Sequence, residues 1–173
     1  MTGVLGSGAV LPSGEVALTV TDAFDPADAA RSAIVALDPR TGAVRHRVQL
    51  PGIVAEGFVD LVPVGRDLVV LDAGRRRLVR VDPLRGRAPV WTAELPASRL
   101  GGAARLGDGR IWLALVDGQV VALDAQTGDV AVQTSELGLD LSSVGLAQAP
   151  VEAGGTVVVT GGLLALGVPA GGS

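Results

Sequence analysis

A motif that recurs about every 43 residues constrains the fold of this chain more than any other feature of its 173 residues. Each copy places an aspartate between two apolar, β-branched runs. A repeat of this length indicates that one supersecondary unit is built several times and stacked on itself. The aligned segments are AIVALDPRTGAVRHRVQL at 33–50, RLVRVDPLRGRAPVWTAEL at 77–95 and QVVALDAQTGDVAVQTSEL at 119–137, with aspartates at Asp38, Asp82 and Asp124.

Each of these aspartates opens a tight turn. In the first copy the turn reads Asp38-Pro39-Arg40-Thr41-Gly42. A carboxylate at the first turn position accepts backbone N–H groups, a proline presets φ at the next position, and a glycine tolerates positive φ at the exit. With an apolar run on both sides, every copy therefore predicts a β-hairpin.

Two further strands are predicted before each hairpin. An almost wholly apolar run comes directly before it, as expected of a strand buried on both faces. A weaker run precedes that one, and turns containing glycine connect the first three such pairs. The apolar runs are 16–20, 68–72, 111–116 and 157–160, and the weaker runs are 8–11, 58–64, 101–106 and 144–149.

The repeating unit thus has four strands in about 43 residues, which is typical of a β-propeller blade. The high content of glycine (25) and proline (10) fits an all-β chain that turns often. The alternative is a β-sandwich with similar hairpins, which three turns in register with their flanks disfavour. The sequence predicts about 3.75 blades of four antiparallel strands, at about 3–51, 57–96 and 100–137, with a partial blade at about 143–168.

The turn and its flanks resemble the repeat of PQQ-like β-propellers, the superfamily of quinoprotein alcohol dehydrogenases. That repeat reads Ala-x-Asp-x-x-Thr-Gly, with a Trp four residues after the Gly. The second copy departs from it, with Arg80 for the Ala, Arg85 for the Thr and Trp91 one residue late. The other copies match at Ala36, Asp38, Thr41 and Gly42 and at Ala122, Asp124, Thr127 and Gly128, with His46 and Val132 in the Trp slot.

This resemblance implies a binding scaffold more than it implies a dehydrogenase. Enzymes of the superfamily hold a quinone on the propeller axis with an aromatic platform, a calcium ion and a catalytic aspartate, and no residue here can be matched to these. Many relatives have no cofactor and serve as assembly scaffolds or as sensor domains outside the membrane. We expect a non-catalytic scaffold or sensor segment without a cofactor. The alternatives are part of a quinoprotein-type oxidoreductase, with PQQ and calcium bound only if missing blades supply the site, and a small-ligand-binding module.

The number of blades raises the question of how a ring would close, since propellers usually have four to eight blades. We favour a C-terminal segment of a larger propeller, so that the partners would be the remaining blades or another protein. Two chains could also pair into one ring as a homodimer. A closed four-bladed ring would need 1–5 as its last strand, and this stretch is short.

Composition excludes several other functions. A net charge of −4 argues against non-specific nucleic-acid binding. The absence of cysteine excludes disulfides and thiolate chemistry, and a single histidine excludes a His-rich metal site. All 14 basic residues are arginine, which indicates a high-GC bacterial genome. We expect no signal peptide in 1–12 and no membrane span in 153–173, where glycines interrupt the apolar run; the compartment stays open.

The loops between second and third strands are the candidate functional face, because in PQQ-like propellers that face lines the axial pocket. The first of these loops contains Asp22, Asp25 and Asp28, which could gather a calcium ion. It lacks the alternating pattern of known calcium loops. The interpretation of Asp25 as a helix cap followed by Pro26 is preferred.

The matching loop of the second blade ends in three arginines, a pattern that suits carboxylate or phosphate recognition and also keeps a hairpin tip soluble. No catalytic residue is predicted, and His46 is interpreted as a packing or rim residue because no carboxylate partner is evident from the spacing. The predicted interaction face consists of Glu56, Asp72, Arg75, Arg76, Arg77, Arg99, Asp117 and Asp140.

Overall fold

The chain folds as antiparallel β-sheets, as the sequence predicts. The computed structural model describes residues 4–21, 31–51, 61–72, 76–84, 88–98, 101–134, 148–161 and 164–170. These residues form fifteen strands and contain no helix. Each sheet is built from strands that are consecutive in the chain, as expected for a propeller blade. The chain divides into two compact units, 1–94 and 95–173.

The first unit holds two four-stranded sheets. The first sheet has the order β1-β2-β3-β4 and the second has the order β5-β6-β7-β8. Strand β1 lies against β5, so the first strands of the two sheets are neighbours. The strands are β1 (Val4–Val10), β2 (Val16–Thr21), β3 (Arg31–Leu37), β4 (Val44–Pro51), β5 (Leu61–Val64), β6 (Asp67–Asp72), β7 (Arg77–Val81) and β8 (Trp91–Glu94).

The second unit holds one sheet of four strands and one of three. The third sheet runs β9-β10-β11-β12 and the fourth runs β13-β14-β15. The predicted total of about 3.75 blades of antiparallel strands is therefore confirmed. The strands are β9 (Ala104–Arg105), β10 (Arg110–Ala114), β11 (Val120–Asp124), β12 (Val130–Gln133), β13 (Val151–Ala153), β14 (Thr156–Gly161) and β15 (Leu164–Pro169).

The strand that pairs with β14 lies later in the chain than predicted. Of the predicted strand 144–149, residues 144–147 lie outside the described residues, Gln148 and Ala149 are not in a strand, and the strand that pairs with β14 is β13. The turn between them is Gly154-Gly155, with φ of 57° and 75°. Two consecutive residues with positive φ make a tight hairpin turn that glycine adopts without strain. This two-glycine signal, rather than the apolar content upstream, marks the strand.

The core of each unit lies between its two sheets. In the first unit, small residues of the first sheet pack against branched residues of the second, and Leu68 and Val70 are fully buried. In the second unit, Trp112 is fully buried and packs with Val157 and Val159 of the fourth sheet. Burying one such side chain contributes about 1.5–3 kcal/mol. Val, Leu and Ala thus hold the sheets together almost without aromatic residues.

The sheets differ in how many faces they bury. In β6 and β10 the apolar side chains of both faces are buried, as predicted; Val69 and Val70 of β6 are both 0% exposed. The same prediction is wrong for β2 and β14, where Val16 and Val158 are only partly buried. Their other face is packed, since Ala17 and Val157 are fully buried. Within the described residues, the first and fourth sheets therefore leave one apolar face partly uncovered.

A continuous apolar row crosses this uncovered face of the first sheet. Val10 pairs with Val16, Val16 with Leu37, and Leu37 with Val44. Directly paired residues of antiparallel strands point to the same face. Val10 is 67% exposed and Val44 is 62% exposed, while the two central residues are partly buried. We call these four residues the outer row.

Candidate functional site

The most structured edge of the first sheet is the turn between β3 and β4. Oδ1 of Asp38 accepts hydrogen bonds from the backbone N–H of Arg40 (2.8 Å) and of Thr41 (3.2 Å). The N–H of Gly42 donates to the Asp38 carbonyl at 2.8 Å, and Gly42 has a φ of 69°. Thr41 Oγ1 accepts the N–H of Ala43 at 3.3 Å. Asp, Thr and Gly of the motif therefore each have a defined role in the turn.

The third sheet repeats this turn with the same hydrogen bonds. Oδ1 of Asp124 accepts the backbone N–H of Gln126 (2.7 Å) and of Thr127 (3.0 Å). Gly128 donates to the Asp124 carbonyl at 2.9 Å, and Thr127 Oγ1 accepts the N–H of Asp129 at 3.2 Å. The Asp, Thr and Gly of the motif thus give the same turn geometry in both sheets, although the residues between the Asp and the Thr differ.

A groove lies at this edge of the first sheet, between the turn just described and the turn that joins β1 to β2. Its volume is about 680 Å³. Since Glu15 precedes β2 and Asp38 follows β3, the antiparallel pairing of β2 with β3 brings the two carboxylate residues to the same edge. We call it the turn-edge groove; it is lined by Ser13, Gly14, Glu15, Asp38, Pro39, Arg40 and Arg45.

The Asp38 carboxylate in this groove is strongly stabilised in its charged form. Nη2 of Arg45 donates to Oδ2 of Asp38 at 2.6 Å. This hydrogen bond, together with the N–H groups of Arg40 and Thr41, lowers the pKa of Asp38 from 3.8 to about 2. The same contact raises the pKa of Arg45. Asp38 therefore stays ionised at any physiological pH.

His46 lies beside the groove and has a carboxylate neighbour that the sequence did not reveal. Its Nε2 is 3.7 Å from Oε1 of Glu15, which is an ion-pair distance for a protonated imidazole and too long for a direct hydrogen bond. Ser13 Oγ donates to the other Glu15 oxygen at 2.9 Å. The sequence spacing suggested no carboxylate partner for His46, and the structure supplies one because pairing of β2, β3 and β4 brings the two residues together across the sheet.

Strand register settles the position of Trp91. His46 pairs with Ala36, Val132 with Ala122, and Trp91 with Arg80. Since Ala36, Arg80 and Ala122 occupy equivalent positions before the turn aspartate, Trp91 stands in the same slot as His46 and Val132. The extra residue that made it look late in the sequence lies before β8.

A part-buried ion pair accompanies this slot in the second sheet. Nε and Nη2 of Arg80 lie 2.9 and 2.8 Å from Oδ2 of Asp67, and the two side chains are only 11% and 9% exposed. Asp67 opens β6 and Arg80 lies in the adjacent strand β7. This contact explains why the second copy of the motif has an arginine where the other copies have alanine.

The described part of the predicted interaction face forms strand ends and turns. Asp72 and Arg77 are paired in register where β6 and β7 meet. Arg76 is exposed and has a φ of 50°, the left-handed region that a side chain seldom adopts. In the second unit, Asp117 accepts the backbone N–H of Gln119 at 3.0 Å, so it stabilises the turn before β11.

The remaining predicted site residues lie outside the described residues. They are Asp22, Asp25, Asp28, Glu56, Arg75, Arg99 and Asp140.

Among the residues that are described, no group of three or more His, Cys, Asp or Glu side chains could hold a metal ion. In the same part of the chain, no helix is long and apolar enough to cross a bilayer.

Comparison with known families identifies the repeat. The profile of a family described as "Outer membrane protein assembly factor BamB" matches residues 30–172. The chain belongs to this family of PQQ-like β-propeller repeat proteins. The resemblance drawn from the turn motif is thereby confirmed. No curated protein matches the chain.

Solved structures agree with this family at the level of the fold. BamB from Moraxella catarrhalis is 19% identical with a TM-score of 0.65, and the match covers 96% of this chain and 47% of that one. Sqt1 from Saccharomyces cerevisiae is 14% identical with a TM-score of 0.65, covering 98% and 46%. A protein of unknown function from Bacteroides caccae is 13% identical with a TM-score of 0.62, covering 91% and 56%. The chain spans about half the length of these structures.

Proposed function

We propose that this chain is a non-catalytic β-propeller scaffold that binds another polypeptide through the uncovered face of its first sheet. The observation that carries the proposal is the outer row, with Val10 67% and Val44 62% exposed. An apolar strip that crosses a whole sheet is the kind of surface that marks a protein contact. The name of the matching family, an assembly factor, supports a scaffold rather than an enzyme.

The dimensions of the outer row suit a polypeptide partner. Four strands spaced about 4.8 Å apart make the row about 14 Å wide. Leu18 and Val20 of β2 lie on the same face and are also partly buried, so the apolar strip extends along the sheet. A second protein or further propeller blades could cover a surface of this size. PQQ and calcium, bound only if further blades supply the site, remain a prediction.

Photo-crosslinking from inside the row tests this proposal. A photoreactive phenylalanine analogue at position 44 should crosslink to one discrete polypeptide, which mass spectrometry identifies. The purified partner should then bind the chain, and Val44→Asp should abolish this binding without lowering the melting temperature.

Val130 provides the matched control. It is 48% exposed and pairs with Leu123 as Val44 pairs with Leu37, but its row in the third sheet is buried at Ile111 and Leu123. The same analogue at position 130 should give no specific product. Equal crosslinking from both positions, or binding that survives Val44→Asp, would contradict the proposal.

A further inference from the structure

The two turns with identical backbone hydrogen bonds differ in the charges they carry. The third sheet has Gln126, Ala131 and Val132 at the positions where the first sheet has Arg40, Arg45 and His46. The turn forms in both sheets, so its geometry does not require the three basic side chains. Arg45 pairs with Asp38 and His46 lies near Glu15, whereas the side chain of Arg40, which lines the turn-edge groove, has no such contact with a described residue.

Hydrogen-bonding capacity in the groove is unbalanced toward donors. Both carboxylates already accept internal hydrogen bonds: Asp38 from Arg45 and two backbone N–H groups, and Glu15 from Ser13. An arginine has five N–H donors in a planar fork. Arg45 uses one of them on Asp38, and the side chain of Arg40 makes no hydrogen bond or ion pair with any described residue. The groove thus carries unused guanidinium donors on an open surface depression.

The geometry points to the turn-edge groove as a binding site for a carboxylate group, held by the guanidinium of Arg40. A planar carboxylate matches the arginine fork with two parallel hydrogen bonds. A phosphate dianion fits less well, because the fixed negative charges of Glu15 and Asp38 lie in the lining of the groove. Arg45 is a positioning residue, since its contact with Asp38 fixes one wall.

This site is separate from the proposed protein contact. The groove uses residues of the two turns and Arg45, whereas the outer row uses Val10, Val16, Leu37 and Val44. Loss of either one therefore leaves the other testable. The carboxylate could belong to a free small acid or to an acidic side chain or C-terminus of a peptide, and the experiment distinguishes these sources.

The test is an amide NMR titration of the full chain with three probes: acetate, a short acidic peptide and inorganic phosphate. Acetate or the peptide should shift the amides of residues 13–15, 38 and 40–45, and the tighter of the two identifies the source. Arg40→Gln, which installs the residue found in the third sheet, should weaken binding by about tenfold or more, as expected for loss of a charged hydrogen bond.

Arg105→Gln is the matched control, because it removes one exposed arginine in the second unit. It should leave the affinity unchanged, and both variants should keep the melting temperature of the parent chain. The proposal is overturned if Arg40→Gln binds as tightly as the parent, if phosphate binds more tightly than both carboxylates, or if no probe shifts these amides at millimolar concentration.

Discussion

At the scale of single residues, the contacts of Asp38 in the turn-edge groove predict how the free energy of unfolding depends on pH. The pKa of Asp38 is lowered to about 2 from 3.8, so the folded state favours the charged form. Its contribution to stability is complete above about pH 4 and is lost as the pH falls from about 4 toward 2. Asp38→Asn should therefore show a weaker fall of the free energy of unfolding in this window, measured by denaturant titration at several pH values.

Asp129→Asn is the control for this experiment, because Asp129 is exposed and contributes to the turn through its backbone N–H. The difference between the two variants then reports on the side-chain contacts of Asp38. A direct measurement is also available, since the carboxyl carbon of Asp38 should titrate near pH 2 in the parent and closer to 3.8 in Arg45→Ala. A parent value at or above 3.8 would contradict the assignment.

Backbone strain at Arg76 leads to a second prediction at this scale. Its φ of 50° is in the left-handed region, which costs a residue with a side chain about 1 kcal/mol. Arg76→Gly should relieve this cost and raise the free energy of unfolding by up to about 1 kcal/mol. Arg66→Gly, at an exposed turn position at the other end of β6 and without a positive φ, should lower it instead. Chemical denaturation compares the two, and a loss of stability in Arg76→Gly would contradict the strain.

At the scale of elements, the ion pair between β6 and β7 is the most specific contact of the second sheet. Removing one member of a buried pair costs about 3 kcal/mol. Asp67→Ala should therefore be strongly destabilising in thermal or denaturant unfolding. Asp67→Ala with Arg80→Ala should recover most of this loss, because Ala36 and Ala122 occupy the position of Arg80 in the first and third sheets. Additive losses in the double variant would show that the pair is not coupled.

The elements also show what the sequence could predict. The turn at Asp38 and Asp124, the strand order and the four-strand unit follow from local signals: a capping carboxylate, a glycine exit and alternating apolar runs. The approach of Glu15 to His46 could not be predicted, because it depends on the register of three strands. The groove was also missed, because the sequence analysis placed the candidate functional face at the loops between second and third strands. The groove lies at the other ends of those strands.

At the scale of the whole molecule, the sheets that bury one face differ from those that bury two. Strands β6 and β10 of the second and third sheets bury the apolar side chains of both faces, whereas Val10 and Val44 of the first sheet stay exposed. The burial of β2 could not be predicted from its sequence. Its composition resembles that of β6, but β6 buries apolar side chains on both faces and β2 on one. Which faces of a strand are covered depends on what packs against its sheet, and the sequence of that strand alone does not specify it.

This difference predicts the behaviour of the chain in solution. Val10→Thr with Val44→Thr should reduce self-association, measured by light scattering, because it removes exposed apolar surface. It should change the free energy of unfolding by no more than about 0.5 kcal/mol, as is usual for surface positions. Val35→Thr, on the same face but 6% exposed, should cost at least about 1 kcal/mol because it buries a hydroxyl. Unchanged scattering in the double variant would show that the outer row does not mediate self-association.

In the Asp–x–x–Thr–Gly turn, some residues fix the backbone and others are free to vary, which has a practical consequence for protein engineering. Because Asp38, Thr41 and Gly42 fix the backbone, positions 40, 45 and 46 can be randomised together in a display library while the scaffold is kept. The third sheet offers a second set of variable positions at Gln126 and Ala131, whose side chains are exposed, whereas Val132 packs against the core and must be kept. One small, cysteine-free chain could thus be evolved toward two different ligands at once.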